Sequence, residues 1–447
     1  MKTCSTVFLL LIALISSAQK KTGHFKVDLD FGSGIVISTF FDVSVAGGRF
    51  AASSPENADV RIMGGKAKIA RLFGKSPKKG IIVTIKGAQK ADSLFGNANV
   101  PRFGKLKFKG ILKDSVFNGA FSNDDIPVGR LHGISSEDTR NDYKYLYPII
   151  IKTIQDHIYS KEALQNEQWE KGKKEIEDLC QAAYDDIELI IGFGMLSQKL
   201  PFTHLSLVIA KDVSDEDGEE TTTKSVIFEE KNAAVAYLKI KNFSTSTQEL
   251  AEILPNIVKK PAYTNLIIDL RDNGGGGIDA AFELAKYIVN EDMEVGYFVT
   301  NKLQYTGYQP ELFKTLPSLQ PKSTEEFGKD LRRLPGVKLV FKKPANPVFD
   351  GKLFILTNRR TGSTCEPMVY ALKKTAKALI IGENTYGGML AASSYNLSDK
   401  YNLMVPIADF YTYDGNRLDK VGVPPDIKVK SEDALQKAME IINTYKK

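Results

Sequence analysis

The chain has 447 residues, 43% of them hydrophobic and 26% charged, with a formal net charge of +6. This length exceeds one ordinary core, so two or three domains are expected, and the composition is that of a folded globular protein, not a disordered or fibrous one. Lysines scattered along the chain exclude a nucleic-acid footprint at this level, and three cysteines exclude a disulfide framework.

The first residues read as an export signal. Lys2 supplies a short basic start, Val7 to Ile15 an apolar run, and Ser16-Ser17-Ala18 a small-residue cleavage site. Cleavage after Ala18 assigns 1–18 to the signal and makes the mature protein periplasmic or secreted. The apolar run is too short to span a bilayer comfortably, and no other segment is long and apolar enough, so no integral membrane segment is expected after cleavage.

Residues 19–135 read as a β-rich domain. Phe25-Lys26-Val27-Asp28-Leu29-Asp30-Phe31 and Leu106-Lys107-Phe108-Lys109 alternate, and Ile81 to Ile85 is a short apolar run bounded by Gly80 and Gly87. Ser122 to Asp142 is polar and reads as a linker. A helical segment, 136–204, follows, with helices over Tyr145–Ile158, Glu162–Ala183 and Ile187–Leu200. His204 stands where the third helix gives way to an alternating strand. His24 and His132 have no second ligand type at metal spacing, so no metal is expected.

Residues 205–447 read as an α/β core, beginning with an acidic loop at Asp212 to Glu220. Leu266-Ile267-Ile268-Asp269-Leu270 is a buried strand, Arg271 to Gly277 a Gly-rich turn, and Asp279 to Asn290 a helix. A dinucleotide fingerprint fails, because the third glycine position counted from Gly274 is Asp279. No Lys-Ser/Thr follows the glycines, so a phosphate loop fails too, and no cofactor is expected. What remains is a set of backbone amides that can approach a substrate closely. Residues 303–345, polar and rich in proline and lysine, read as an insertion, either a lid or a surface excursion. Strand Leu353–Thr357 then turns through Asn358 to Tyr370 into a helix. Ser363 in this turn fits two roles: a nucleophile at a strand-to-helix turn with the Thr364 amide beside it, or the N-cap of a capping box closed by Glu366. Cys365 reads as a packed thiol.

Four stretches, in this order, resemble the C-terminal processing (tail-specific) serine peptidases, a family that includes the tricorn core protease and the retinoid-binding protein repeats. Asp269-Leu270-Arg271-Asp272-Asn273-Gly274-Gly275-Gly276 resembles the family's D-L-R-x-N-x-G-G turn. Thr361-Gly362-Ser363-Thr364-Cys365-Glu366 resembles its T-x-S-x-x-E segment. Gly382-Glu383-Asn384-Thr385-Tyr386-Gly387 resembles its G-E-x-T-x-G turn, and Gly422-Val423-Pro424-Pro425-Asp426-Ile427 its G-V-x-P-D-I ending.

The resemblance implies an α+β multidomain protein. It would have the β-rich domain, the helical segment and an α/β peptidase core of the crotonase-like (ClpP/crotonase) superfold. It implies Ser363 as nucleophile. Of the family's two catalytic arrangements, the Ser/Lys dyad is missing, because Gly388 holds the lysine's place. The tricorn-like arrangement matches His204 as general base and Asp419 as the carboxylate, although the family usually has Glu there. Gly275, Gly276 and Thr364 would supply the oxyanion amides. The family's PDZ domain has no room between Leu205 and Glu230. The expected partner is a peptide or unfolded protein substrate, with no nucleic acid. A binding protein on the same fold and a small-substrate esterase are the alternatives.

Overall fold

The computed structural model describes residues 21–30, 35–54, 82–100, 104–123, 126–210, 224–319 and 323–444. The leader, its cleavage site and the acidic loop at 212–220 lie outside the described residues. The chain divides into two compact units.

The first unit is built on eight strands: β1 (Lys21–Asp30), β2 (Val36–Ala46), β3 (Arg49–Ser53), β4 (Thr84–Lys90), β5 (Ser93–Val100), β6 (Gly104–Lys113), β7 (Val116–Asn123) and β8 (Ile126–Ser135). Each pairs antiparallel with the next, and β8 returns to pair with β1, closing a barrel. Alternation dictates the inside: Phe25, Val27 and Leu29 of β1 are buried while Lys26 and Asp28 face out. Phe25, Phe41 and Phe108 all pack on the Phe117 ring at centroid distances of 5.9, 6.3 and 5.9 Å, so the interior is filled by side chains. The stretch 122–142, read as a linker, contains β8. Only Leu131 and Gly133 of it are buried, so it lacks the apolar alternation that marks a strand. Gly87, read as the boundary of a short apolar run, lies within β4 opposite Gly96. A Cβ there would fall 2.0 Å from the Phe95 carbonyl oxygen.

Three helices follow in the chain: α1 (Leu146–His157), α2 (Glu167–Ala182) and α3 (Asp186–Ser197). Residues Ala182–Leu189 cluster with the barrel.

The second unit contains two sheets. One has six strands in the order β10 (Val226–Asn232), β11 (Val235–Ile240), β12 (Asn265–Asp269), β15 (Lys352–Thr357), β16 (Ala378–Gly382) and β19 (Ile427–Lys428). From β11 onward its neighbours are parallel. The other sheet is antiparallel, with β14 (Gly336–Phe341), β13 (Met293–Thr300), β18 (Tyr401–Thr412) and β17 (Ala391–Asn396) in that order, and β9 (Ser206–Ile209) pairs with β18. Strand β12 is buried on both faces, as an unbroken apolar run requires. On one side Ile268 and Ile355 join a core with Met368, Val369 and Leu372; on the other Ile267 and Phe354 pack with Ala438 and Ile442 of the last helix, Ala434–Thr444.

The segment 303–345, expected as an insertion, is part of this architecture. It holds helices Pro310–Phe313 and Thr324–Arg333 and strand β14, whose Val337, Leu339 and Phe341 enter the main core.

Candidate active site

Parallel strands place the turns that follow them at one edge of a sheet, and ligand sites in such sheets form at that carboxyl edge. Here β12, β15 and β16 are neighbours. Their following turns are Leu270–Gly277, Asn358–Thr364 and Glu383–Gly388, three of the motifs singled out in the sequence.

Hydrogen bonds lock the turns together. Thr361 donates its hydroxyl to the Leu270 carbonyl at 2.8 Å, and Gly362 its amide to the Asn273 carbonyl at 3.0 Å. Tyr386 donates its amide to the Thr361 carbonyl at 2.7 Å. Asn273 is wholly buried and donates its side-chain amide to the Ile240 carbonyl. Asp269, also wholly buried, accepts from Tyr237 Oη at 2.7 Å and from the Arg271 guanidinium at 2.6 Å, so its charge is compensated.

Ser363 sits between β15 and the helix Cys365–Lys374 with φ of +53°, a left-handed backbone that non-glycine residues rarely hold. His204 has φ of +61°, Asp272 +68° and Lys420, next to Asp419, +63°. Such strain persists where the surroundings over-determine it and concentrates at functional sites. The N-cap role expected as one alternative for Ser363 is not realised. Thr364 occupies the N-cap position, and the Ser363 hydroxyl is turned toward His204. Only half of a capping box remains, with Glu366 Oε2 accepting from the Ser363 amide at 3.0 Å.

Glu366 does more than that. Fully buried, it also accepts from the Thr385 hydroxyl at 2.5 Å, the Gly387 amide at 2.8 Å and the Gly388 amide at 2.9 Å. One carboxylate therefore ties the Ser363 turn to the turn after β16. Burial raises its pKa, opposed by these donors.

The structure brings Ser363, His204 and Asp419 into one file. Ser363 Oγ is 3.5 Å from His204 Nε2. His204 Nδ1 is 2.8 Å from Thr203 Oγ1, and Thr203 Oγ1 donates to Asp419 Oδ1 at 2.5 Å. The Thr203 and Met389 amides also donate to Asp419, at 3.3 and 3.0 Å. Thr203 was missed in the sequence; it links the His204 imidazole to the Asp419 carboxylate. Its single hydroxyl proton goes to Asp419, so it accepts from His204, and His204 must carry its proton on Nδ1. The bare Nε2 lone pair then faces Ser363. Burial lowers the His204 pKa and the Asp419 charge opposes that shift, which leaves a neutral imidazole at pH 7.

The glycines divide. The Gly275 amide donates to Asn273 Oδ1 at 2.9 Å, so it is not a free oxyanion donor as expected. Gly275 is instead a close-approach residue: a Cβ there would lie 2.6 Å from Ser363 Cβ. The amides of Gly276 and Thr364 donate to no group among the described residues, and the Thr364 hydroxyl joins the two by donating to the Gly276 carbonyl at 2.7 Å. Gly388, in the place of the family's lysine, lies beside the imidazole; a Cβ there would be 3.7 Å from His204 Cε1. Lys373, Lys374 and Lys377 are held by Asp426, Asp414 and Glu291, away from Ser363. Cys365 is fully buried and burial pushes its thiol up, which fits a packed residue.

This arrangement can activate a serine hydroxyl. Residues 234–429 match the model of peptidase family S41. Carboxyl-terminal-processing peptidase 1, chloroplastic, of Arabidopsis thaliana is 28% identical over 44% of this chain and 33% of its own length. The carboxyl-terminal-processing protease of a Picosynechococcus strain is 25% identical over 46% of this chain and 41% of its own. The chain thus spans well under half the length of these relatives. The crystal structure of the tricorn protease aligns with 12% identity and a TM-score of 0.43 over 94% of this chain and 58% of that one. Thr203 and His204 precede the matched segment, whereas Ser363, Glu366, Gly388 and Asp419 fall inside it. Over residues 234–429 the chain is similar to peptidase family S41 and to the carboxyl-terminal-processing peptidases.

Proposed function

We propose that this chain is an exported serine endopeptidase acting on peptides or unfolded proteins through an acyl-enzyme at Ser363. The observation that carries the reading is the file Ser363–His204–Thr203–Asp419, with the Thr364 and Gly276 amides donating to no group among the described residues.

In the first step Ser363 Oγ attacks the scissile carbonyl carbon while its proton passes to His204 Nε2. The amides of Thr364 and Gly276 receive the oxyanion, and losing one such donor costs about 3 kcal/mol of transition-state stabilisation. The imidazolium formed is stabilised by the Asp419 charge, relayed by the Thr203 hydroxyl, without proton transfer to the carboxylate. His204 then gives its Nε2 proton to the leaving amine. Water, deprotonated by the same nitrogen, releases the acyl group and restores the hydroxyl. The 3.5 Å separation of Ser363 and His204 is of the length that tightens when substrate binds.

The paired sheets, one parallel and one antiparallel around a shared core, support a crotonase-like reading of the core. Export and cleavage after Ala18 rest on the leader's sequence. No helix among the described residues is long and apolar enough to cross a membrane.

The test is hydrolysis of a peptide library and a panel of small esters by the purified chain and by Ser363→Ala. Peptide cleavage that Ser363→Ala lowers by about 10⁴-fold or more is expected. Ester cleavage without peptide cleavage would replace the reading by an esterase, and activity on neither, in a folded protein, by a binding protein.

A further inference from the structure

The lysines that look scattered in the sequence are gathered by the barrel. Strands β4 to β8 contain seven Lys and Arg residues and no Asp or Glu. Strand β6 alone carries Lys105, Lys107, Lys109 and Lys113, all exposed because residues two apart share a face. Lys86 and Lys90 of β4 are exposed two strands to one side of β6, and Arg130 of β8 is exposed two strands to the other, opposite Asp30 of β1. The register makes these rows contiguous: Lys86 faces Asn97, which faces Lys107, and Phe95 faces Lys109, which faces Ala120 and then Arg130. Asp92 and Asp114 sit in the β4–β5 and β6–β7 turns at the rim, and Asp30 of β1, opposite Arg130, bounds the basic surface on that side.

The same wall exposes large apolar side chains. Phe95 is 49% exposed, Ile111 53% and Ile134 54%, and Val116 lies directly opposite Ile134. Ile111 stands between Lys109 and Lys113 on the outer face of β6. The wall is convex, and the barrel is closed, so it offers neither a groove for a peptide nor a sheet edge to which a strand could add.

We infer that the outer wall of β4–β7, centred on β6, docks the protein on an anionic lipid surface, with the lysines over the headgroups and Phe95, Ile111 and Val116 entering the boundary of the acyl chains. The chemistry is that of peripheral membrane binding: a surface of one charge sign draws the wall to acidic lipid at about 1 kcal/mol per basic residue near the surface, and the apolar side chains add burial that a soluble polyanion does not offer. The inference stands independently of the peptidase reading, since none of these residues belongs to the candidate active site.

Sedimentation with vesicles tests it, using the chain from Gln19 onward and, in that chain, K86E/K109E/K113E and Phe95→Ser/Ile111→Ser. Vesicles of phosphatidylglycerol with phosphatidylcholine are compared with phosphatidylcholine alone. The chain is expected to sediment with the anionic vesicles only. The charge-reversed variant should lose on the order of a hundredfold in partitioning, and the serine variant should lose part of it, with all three proteins melting at the same temperature. Equal partitioning into both vesicles, binding to neither, or a charge-reversed variant that sediments like wild type overturns the inference. So does a serine variant that binds undiminished, which would leave a general polyanion surface.

Discussion

At the scale of single residues, the chemistry turns on which nitrogen of His204 holds the proton. Asp419 never touches the imidazole; it acts through Thr203, whose hydroxyl faces both. Thr203→Val keeps the shape and removes the relay, so kcat should fall by about 10²–10⁴-fold with KM little changed, while Thr203→Ser retains most activity. Equal activity of Thr203→Val and wild type would leave the relay without a role. The pH profile checks the same geometry. His204 must be neutral to accept the serine proton, and burial holds its pKa below the ordinary value. The acid limb of kcat/KM should therefore lie below about pH 6.5. Asp419→Asn removes the charge that raises the His204 pKa, so the limb should move to still lower pH as the rate falls. A limb that moves upward would contradict the assignment. Ser363, His204 and Asp419, which the structure brings together, could be singled out in the sequence because each stands in a local motif. Thr203 was not, because its partner lies 216 residues away and a threonine in a loop carries no signal of its own.

At the scale of elements, the site depends on three turns held in register by buried polar groups. Glu366 accepts four hydrogen bonds and has no water to replace them. Glu366→Gln puts an amide donor against backbone donors, so it should cost on the order of 1–3 kcal/mol of stability and most of the activity. Chemical denaturation with an activity assay measures both, and an unchanged midpoint would show that the turns do not rely on it. The sequence marked Glu366 as the closing residue of a capping box, which caught one of its four bonds. The Gly-rich turn was legible because its demands are on the backbone. Its division of labour was not, since Asn273 takes the Gly275 amide through a side chain whose orientation only the fold decides. Strand β14 was hidden for another reason: its alternation is short, and prolines and lysines crowd both sides of it.

At the scale of the whole molecule, the sequence pattern announced a β-rich first unit and an α/β second one, but closure of the barrel depends on β8 meeting β1, a pairing between strands about a hundred residues apart. The barrel unit also carries a buried acidic group that makes stability depend on pH. Asp185 accepts from the Thr39 hydroxyl and the Glu188 amide, and burial pushes its carboxyl up to about 7. The folded chain then keeps a proton that the unfolded chain has lost, so this group costs stability as pH rises from about 4 to about 7. Asp185→Asn, which mimics the protonated form, should melt above wild type at pH 8 and level with it near pH 4. A variant that tracks wild type across this range would show that Asp185 is not the group responsible.

The central claim is that the fold activates the Ser363 hydroxyl. Its most direct test is to treat the purified chain with a fluorophosphonate probe and locate the adduct by mass spectrometry, beside Ser363→Ala and His204→Ala. The account predicts an adduct on Ser363 in the wild-type chain that is absent from Ser363→Ala and strongly reduced in His204→Ala. A folded wild-type chain that takes up no probe, or labels equally well without His204, would contradict it.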